Sequence, residues 1–138
     1  MKKIAIIAAR WHADIVDSAV ASIIKNLEGF DVDVVTVPGA LEIPLKGKQL
    51  MKSGYDAVIG VAFVVDGGIY EHRFVGHAVL NGLMDVQLEQ EKPFFSVILT
   101  PQKFNEKSAD DIQWFTDHMV IKGEEAANAV RLTFGGAQ

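Results

Sequence analysis

The sequence predicts an α/β fold, a flavodoxin-like three-layer αβα sandwich built on a four-stranded parallel sheet. Three observations predict it. Short apolar runs alternate with longer stretches of helical period, which implies a parallel sheet with helices on both faces. One run, Ala57 to Val65, is apolar or glycine throughout, as a strand covered on both faces must be. No repeat, linker or low-complexity tract divides the 138 residues. One domain spanning residues 1–138 is therefore expected.

Lys3 to Ala8 reads as the first strand. Its two leading lysines resemble a signal peptide, but Arg10, Trp11, His12 and Asp14 break the apolar run at once. It is too short for a signal core or a membrane span. Asp14 to Leu27 carries Ile15, Ala19, Ile23 and Leu27 at helical spacing, with Gly29 as a stop. Val32 to Val37 is a β-branched second strand. Pro38-Gly39 turns the chain into a helix from about Glu42 to Ser53, with Pro44 tolerated in the first turn. The third strand, Ala57 to Val65, is broken by Asp66-Gly67-Gly68. A long helix from His72 to Gln90 leads to a fourth strand, Phe94 to Leu99, ended by Thr100-Pro101. Two further helices are expected over Glu106 to His118 and Gly123 to Phe134.

Composition excludes several function classes. The net charge is −5, and the lysines and arginines form no run. Nucleic acid, bound through its phosphates, is not an expected partner. A membrane partner is not expected either. There is no cysteine, so disulfides and thiolate chemistry are excluded and a cytoplasmic location is the expectation. His12, His72, His77 and His118 lack metal-ligand spacing, and no metal is expected. No serine sits in a nucleophile elbow. The helix from His72 to Gln90 carries apolar residues all round, among them Phe74, Val79, Leu80, Leu83, Met84 and Leu88. That exceeds what one sheet face needs and predicts that another subunit covers the surplus in a homo-oligomer.

In doubly wound sheets ligands sit beyond the carboxyl ends of the strands. Those ends carry the candidate chemistry. Trp11 offers a flat indole face beside the polar Arg10, His12 and Asp14. The stretch from Val37 to Pro44 couples a turn to a helix start, whose free N–H groups bind a carbonyl or anion. Glu42 there either favours the helix dipole or accepts from ligand hydroxyls. In Asp66 to Arg73 two glycines precede a helix; a simple turn and a phosphate approach are equally compatible with them. Glu71 and His72 are the acid–base candidates. Arg73 either clamps a phosphate or pairs with Glu71.

Taken in order, these segments resemble the lumazine synthase family over nearly the whole chain. The matching pieces are Ala9 to Val16, Val37 to Pro44, Gly67 to Tyr70, Asn81 to Met84, Val86 to Leu88 and Leu99 to Pro101. The wording is similar to the rhizobial and Brucella-like branch, known for pentamers that pair into decamers. The resemblance implies a transferase of riboflavin biosynthesis that needs no cofactor. It would join 5-amino-6-(D-ribitylamino)uracil to 3,4-dihydroxy-2-butanone 4-phosphate, giving 6,7-dimethyl-8-ribityllumazine in sites between adjacent subunits. By resemblance Trp11 and His12 belong to the substrate site, with Trp11 stacked on the pyrimidine. Ala40, Leu41 and Glu42 would hold the ribityl-uracil. Phe63, Val64 and Val65 would line its slot, and Gly68 and Ile69 would offer N–H groups to the phosphate. Ser96 falls where a neighbouring subunit contributes a wall, and Lys122 matches a basic residue of the ribityl and phosphate region.

The sequence departs from the family pattern twice. The family usually has histidine at Glu71 and an acid at Arg73; the similar branch has arginine at Glu71. The family's basic phosphate residue would fall near Asp110 or Asp111. An alternative reading follows from these changes: a catalytically weak ribityl-pyrimidine or flavin binder, or a shell-forming protein, on the same fold. An unrelated flavodoxin-like phosphosugar binder is a third.

Overall fold

A computed structural model describes residues 1–66 and 71–135. Its elements alternate as the sequence pattern requires: β1 (Lys3–Ala9), α1 (Ala13–Asn26), β2 (Asp31–Val37), a 3-10 turn (Ala40–Glu42), α2 (Ile43–Lys52), β3 (Ala57–Phe63), α3 (His72–Gln90), β4 (Phe94–Leu99) and α4 (Ala109–Thr133). The four strands form one parallel sheet in the order β2-β1-β3-β4. Such a strand order reverses direction between β1 and β3, which opens a crevice at their carboxyl ends.

Alternation along the strands divides the core into two layers. Ile4, Ile6 and Ala8 of β1 and Ala57, Ile59, Val61 and Phe63 of β3 face one layer with α1 and α4. Ala5, Ile7 and Ala9, with Val58 and Ala62, face the other with α2 and α3. All of β1 from Ile4 onward and all of β3 are buried, which accounts for their unbroken apolar runs.

Two glycines hold these layers at close range. A Cβ on Gly47 of α2 would lie 2.3 Å from the Phe94 ring of β4. One on Gly123 of α4 would lie 2.7 Å from the Ala19 carbonyl oxygen of α1. The expectation of two final helices is thereby corrected. Residues 109–133 form one helix of 25 residues. Gly123 does not begin a new helix; it lies within α4 where α4 crosses α1. The start also moves, from Glu106 to Ala109, because Ser108 caps the helix by accepting from the Asp111 N–H at 3.1 Å. The third strand ends at Phe63 and not at Val65, although the Val64 N–H still donates to the Leu99 carbonyl at 2.8 Å.

On α3, Val79, Leu83 and Val86 are buried, whereas Phe74 and Leu88 are about two-thirds exposed and Leu80 and Met84 are exposed as well. The surplus apolar surface thus lies on the outside of the single chain. No helix among the described residues is long and apolar enough to cross a membrane.

Candidate active site

The carboxyl ends of β1 and β2 build the first part of the site. Arg10 donates its backbone N–H to Val37 and Pro38 carbonyls, which ties the two strand ends together. Its guanidinium is held by Asp17 at 2.6 Å, so this cation serves the scaffold. Trp11 projects beside it and is 71% exposed. An indole that open contributes little to the core, and its flat face is available to a ring-shaped ligand.

Gly39 lies against Trp11: a Cβ there would stand 3.5 Å from the indole and 3.4 Å from the Glu42 carboxylate. Glu42 accepts from the Gly39 N–H at 3.0 Å. One carboxylate oxygen is therefore engaged in fixing the turn, while the side chain as a whole stays exposed. Ala40 and Leu41 open the 3-10 turn. The first N–H groups of a helical turn have no partner within it and remain available to a carbonyl or anion.

His12, the residue after Trp11, turns its ring toward the aromatic core. It adopts left-handed backbone angles, with φ of 54°. Its ring meets Phe63 and Phe104 edge to face, with centroids 5.6 and 5.3 Å away. Phe63 is 2% exposed and also contacts Phe104 and Phe115. This aromatic cluster supports the floor of the β1–β3 crevice. Val64 is buried in the opposite layer, and Val65 is half-buried.

The β3–α3 connection supplies the ionisable groups. Gly68 and Ile69 lie outside the described residues. Asp66, just after β3, uses Oδ1 to accept from the His72 backbone N–H at 2.7 Å and to meet His72 Nδ1 at 2.6 Å. These hydrogen bonds hold the Asp66 carboxyl below the usual carboxylate range. Glu71 is the N-cap residue of α3. Arg73 pairs with it at 3.1 Å, both side chains being largely exposed. Of the two roles open to Arg73, the structure places it against Glu71.

Beside Asp66 lies an open depression of 710 Å³ lined by Val65, Pro101, Phe104 and the loop residues up to Lys107. Lys103 and Lys107 are its cations. Asp111 also borders it, but this carboxylate accepts from the Asn105 N–H at 2.9 Å and sits in the first turn of α4. An acid at that place closes the loop onto the helix start and suits its dipole. Asp110 shares that first turn.

Ser96 and Lys122 lie together elsewhere. Both line a groove of 420 Å³ along β4 and α4, with Leu80 and Ala126. Lys122 pairs with Glu125 at 3.3 Å. The groove runs along the last strand of the sheet, two strands from β1. At the usual strand spacing that is about 10 Å from the strand bearing Trp11. One chain therefore assembles Trp11, Gly39 to Glu42, Asp66 and His72 at neighbouring strand ends, and leaves Ser96 and Lys122 apart. Among the described residues no group of three histidine, cysteine, aspartate or glutamate side chains is placed to hold a metal ion.

Reading for catalytic residues alone passes over Asp66. The available signal was its position just ahead of a helix whose first residue is a histidine.

Residues 1–134 match the family model described as 6,7-dimethyl-8-ribityllumazine synthase. The chain is 47% identical to the 6,7-dimethyl-8-ribityllumazine synthase of Rhodococcus erythropolis, over 96% of this chain and 88% of that one. It is 46% identical to 6,7-dimethyl-8-ribityllumazine synthase 2 of Pseudomonas syringae pv. tomato, over 91% of this chain and 77% of the relative. The corresponding protein 2 of Bradyrhizobium diazoefficiens is 43% identical, over 99% and 85%.

Proposed function

Because the chain belongs to the 6,7-dimethyl-8-ribityllumazine synthase family, we propose that it condenses 5-amino-6-(D-ribitylamino)uracil with 3,4-dihydroxy-2-butanone 4-phosphate. The uracil amine attacks the butanone carbonyl to form an imine with loss of water. Inorganic phosphate then leaves, and ring closure with loss of a second water gives the lumazine. Bringing two reactants into register accounts for most of such a reaction, with local proton transfers completing it. The observation that carries this reading is the pairing of an open indole, Trp11, with the turn Gly39 to Glu42 at the crevice of the sheet.

In this reading Trp11 stacks on the pyrimidine, and the Ala40 and Leu41 N–H groups with Glu42 hold the ribityl-uracil. Val65 borders the slot, while Phe63 and Val64 shape it from beneath. His12 acts through its ring contacts with Phe63 and Phe104. His72 is the proton-transfer group. Glu71, the other acid–base candidate, pairs with Arg73 at 3.1 Å beside it. Lys103 and Lys107, which line the depression beside Asp66, supply the positive charge a phosphate requires.

Ser96 and Lys122 complete the site from a second copy of the chain. Their groove and the Trp11 crevice are different surfaces, so a contact joining them is heterologous. Repeated around an axis, such a contact closes into a ring. The exposed apolar residues of α3 suit a face covered in that ring.

Supplying both substrates to the purified protein and following lumazine absorbance and fluorescence tests the activity. Product is expected. A folded assembly that binds the ribityl-uracil but yields no lumazine refutes the reading and leaves a binding protein on the same fold.

A further inference from the structure

The contact between Asp66 and His72 has a chemical consequence. His72 has two ring nitrogens, and an ionised carboxylate can only accept hydrogen bonds. Asp66 Oδ1 lies 2.6 Å from His72 Nδ1, so Nδ1 carries a proton in the neutral ring as well as in the charged one. The same oxygen accepts the His72 backbone N–H at 2.7 Å. Backbone and ring are thus held by one atom, which fixes the direction of the imidazole. The His72 side chain is only 12% exposed, whereas that of Asp66 is 64% exposed. A ring packed this far into the protein and clamped at one nitrogen has a single nitrogen left for exchange with a reactant.

We propose that Asp66 is a positioning residue for the reaction: it clamps His72 through Nδ1 and presents Nε2 as the nitrogen that takes up and returns protons. The proposal rests on the assignment of His72 as the proton-transfer group. The hydrogen bonds that keep Asp66 ionised below the usual carboxylate range ensure that it remains an acceptor at neutral pH. Glu71 and Arg73, the charged neighbours on either side of His72, bind each other at 3.1 Å. Neither replaces the clamp at Nδ1. A carboxylate accepting from one ring nitrogen fixes a histidine's tautomer and orientation; losing such a partner costs metal-binding histidines about 10- to 100-fold in activity, and a loss of that order is expected here.

Two readouts test this on the intact assembly. Ring-nitrogen NMR of histidine-labelled protein reports the tautomer, and His72→Gln assigns the signal among the four histidines. The wild-type His72 ring is expected as the Nδ1–H tautomer when neutral. Asp66→Ala is expected to shift it toward Nε2–H. Its kcat should fall about 10- to 100-fold while KM for either substrate changes by less than about threefold. Asp66→Asn keeps an oxygen that accepts from the backbone and from Nδ1–H, so it should recover most of the tautomer and part of kcat. If Asp66→Ala fails to fold, Asp66→Asn and the wild-type tautomer decide. In a His72→Gln background, Asp66→Ala should cost nothing further.

A wild-type His72 that is neutral as Nε2–H overturns the proposal. So does an unchanged tautomer, or an unchanged kcat, in folded Asp66→Ala. A further loss from Asp66→Ala in the His72→Gln background overturns it too. Failure of the assignment beneath it looks different. There the Asp66 clamp is seen by NMR, but His72→Gln turns over as fast as wild type, or the wild-type protein makes no lumazine at all.

Discussion

Gly123→Ala probes the close crossing of α4 on α1. The added Cβ would stand 2.7 Å from the Ala19 carbonyl oxygen, 2.8 Å from Ser22 Cβ and 3.0 Å from Ser22 Oγ. A carbon and a carbonyl oxygen tolerate each other at about 3.3 Å or more. The α1 and α4 backbones must therefore part by about half an ångström, since a backbone carbonyl has no rotamer with which to yield. Ser22 is 6% exposed and donates its hydroxyl to the Val120 carbonyl at 2.7 Å. Separating the helices stretches that bond as well. Overpacking of this kind costs about 1–3 kcal/mol, and a weakened buried hydrogen bond adds about 1 kcal/mol. Against this, alanine is favoured over glycine within a helix by about 1 kcal/mol. The net expectation is a destabilisation of about 1–3 kcal/mol. With an unfolding entropy of about 0.3 kcal/mol/K for a chain of 138 residues, Tm falls by about 3–10 °C. Urea titration at fixed protein concentration measures the change, and an unaltered m-value confirms that the unfolded state is unaffected. Ser22→Gly should relieve part of the loss, because it removes two of the three contacts. A Gly123→Ala protein as stable as wild type, or more so, would refute the tight crossing of α1 on α4.

Trp11→Ala should leave Tm and circular dichroism unchanged, because the indole is 71% exposed; its KM for the ribityl-uracil should rise about 5- to 150-fold, as loss of about 1–3 kcal/mol of ring stacking implies. Tyr55 donates its hydroxyl to Asp33 Oδ2 at 2.7 Å, which raises its pKa. The stabilisation from this bond is present below the ordinary tyrosine value and is lost as pH rises through the raised one. Ultraviolet titration in a Tyr70→Phe background should show this phenol ionising above about 10, and Asp33→Asn should bring it back. If Ser96 and Lys122 serve a neighbour's Trp11, Trp11→Ala and Lys122→Ala subunits dissociated and reassembled together should regain about a quarter of the wild-type sites, the random share pairing two intact halves. Reassembled mixtures no more active than the separate variants would exclude the shared site.

The sheet was legible because its signals are local. β1 and β3 are buried on both faces, and each wrote that burial into an unbroken apolar run. The single final helix was not legible, because glycine in a helical pattern reads as a break until its distant neighbour is known. Gly123 is demanded by Ala19, more than a hundred positions earlier. The start of that helix, by contrast, was written locally. Ser108 followed three residues later by Asp111 is a capping pattern, and it explains why the chain is acidic where a phosphate group might have been sought.

The candidate site follows the same division. Strand ends are set by the sheet, so Trp11 and the stretch from Gly39 to Glu42 could be assigned to one edge from their order alone. What each side chain does there depends on contacts that order does not encode. His12 has left-handed backbone angles, and its ring meets Phe63 and Phe104. Glu71 looked as suitable for proton transfer as His72. The structure gives them different contacts: Arg73 pairs with Glu71 in the open, whereas Asp66 bonds His72, whose side chain is 12% exposed. These contacts are what support His72 in the proposed proton transfer.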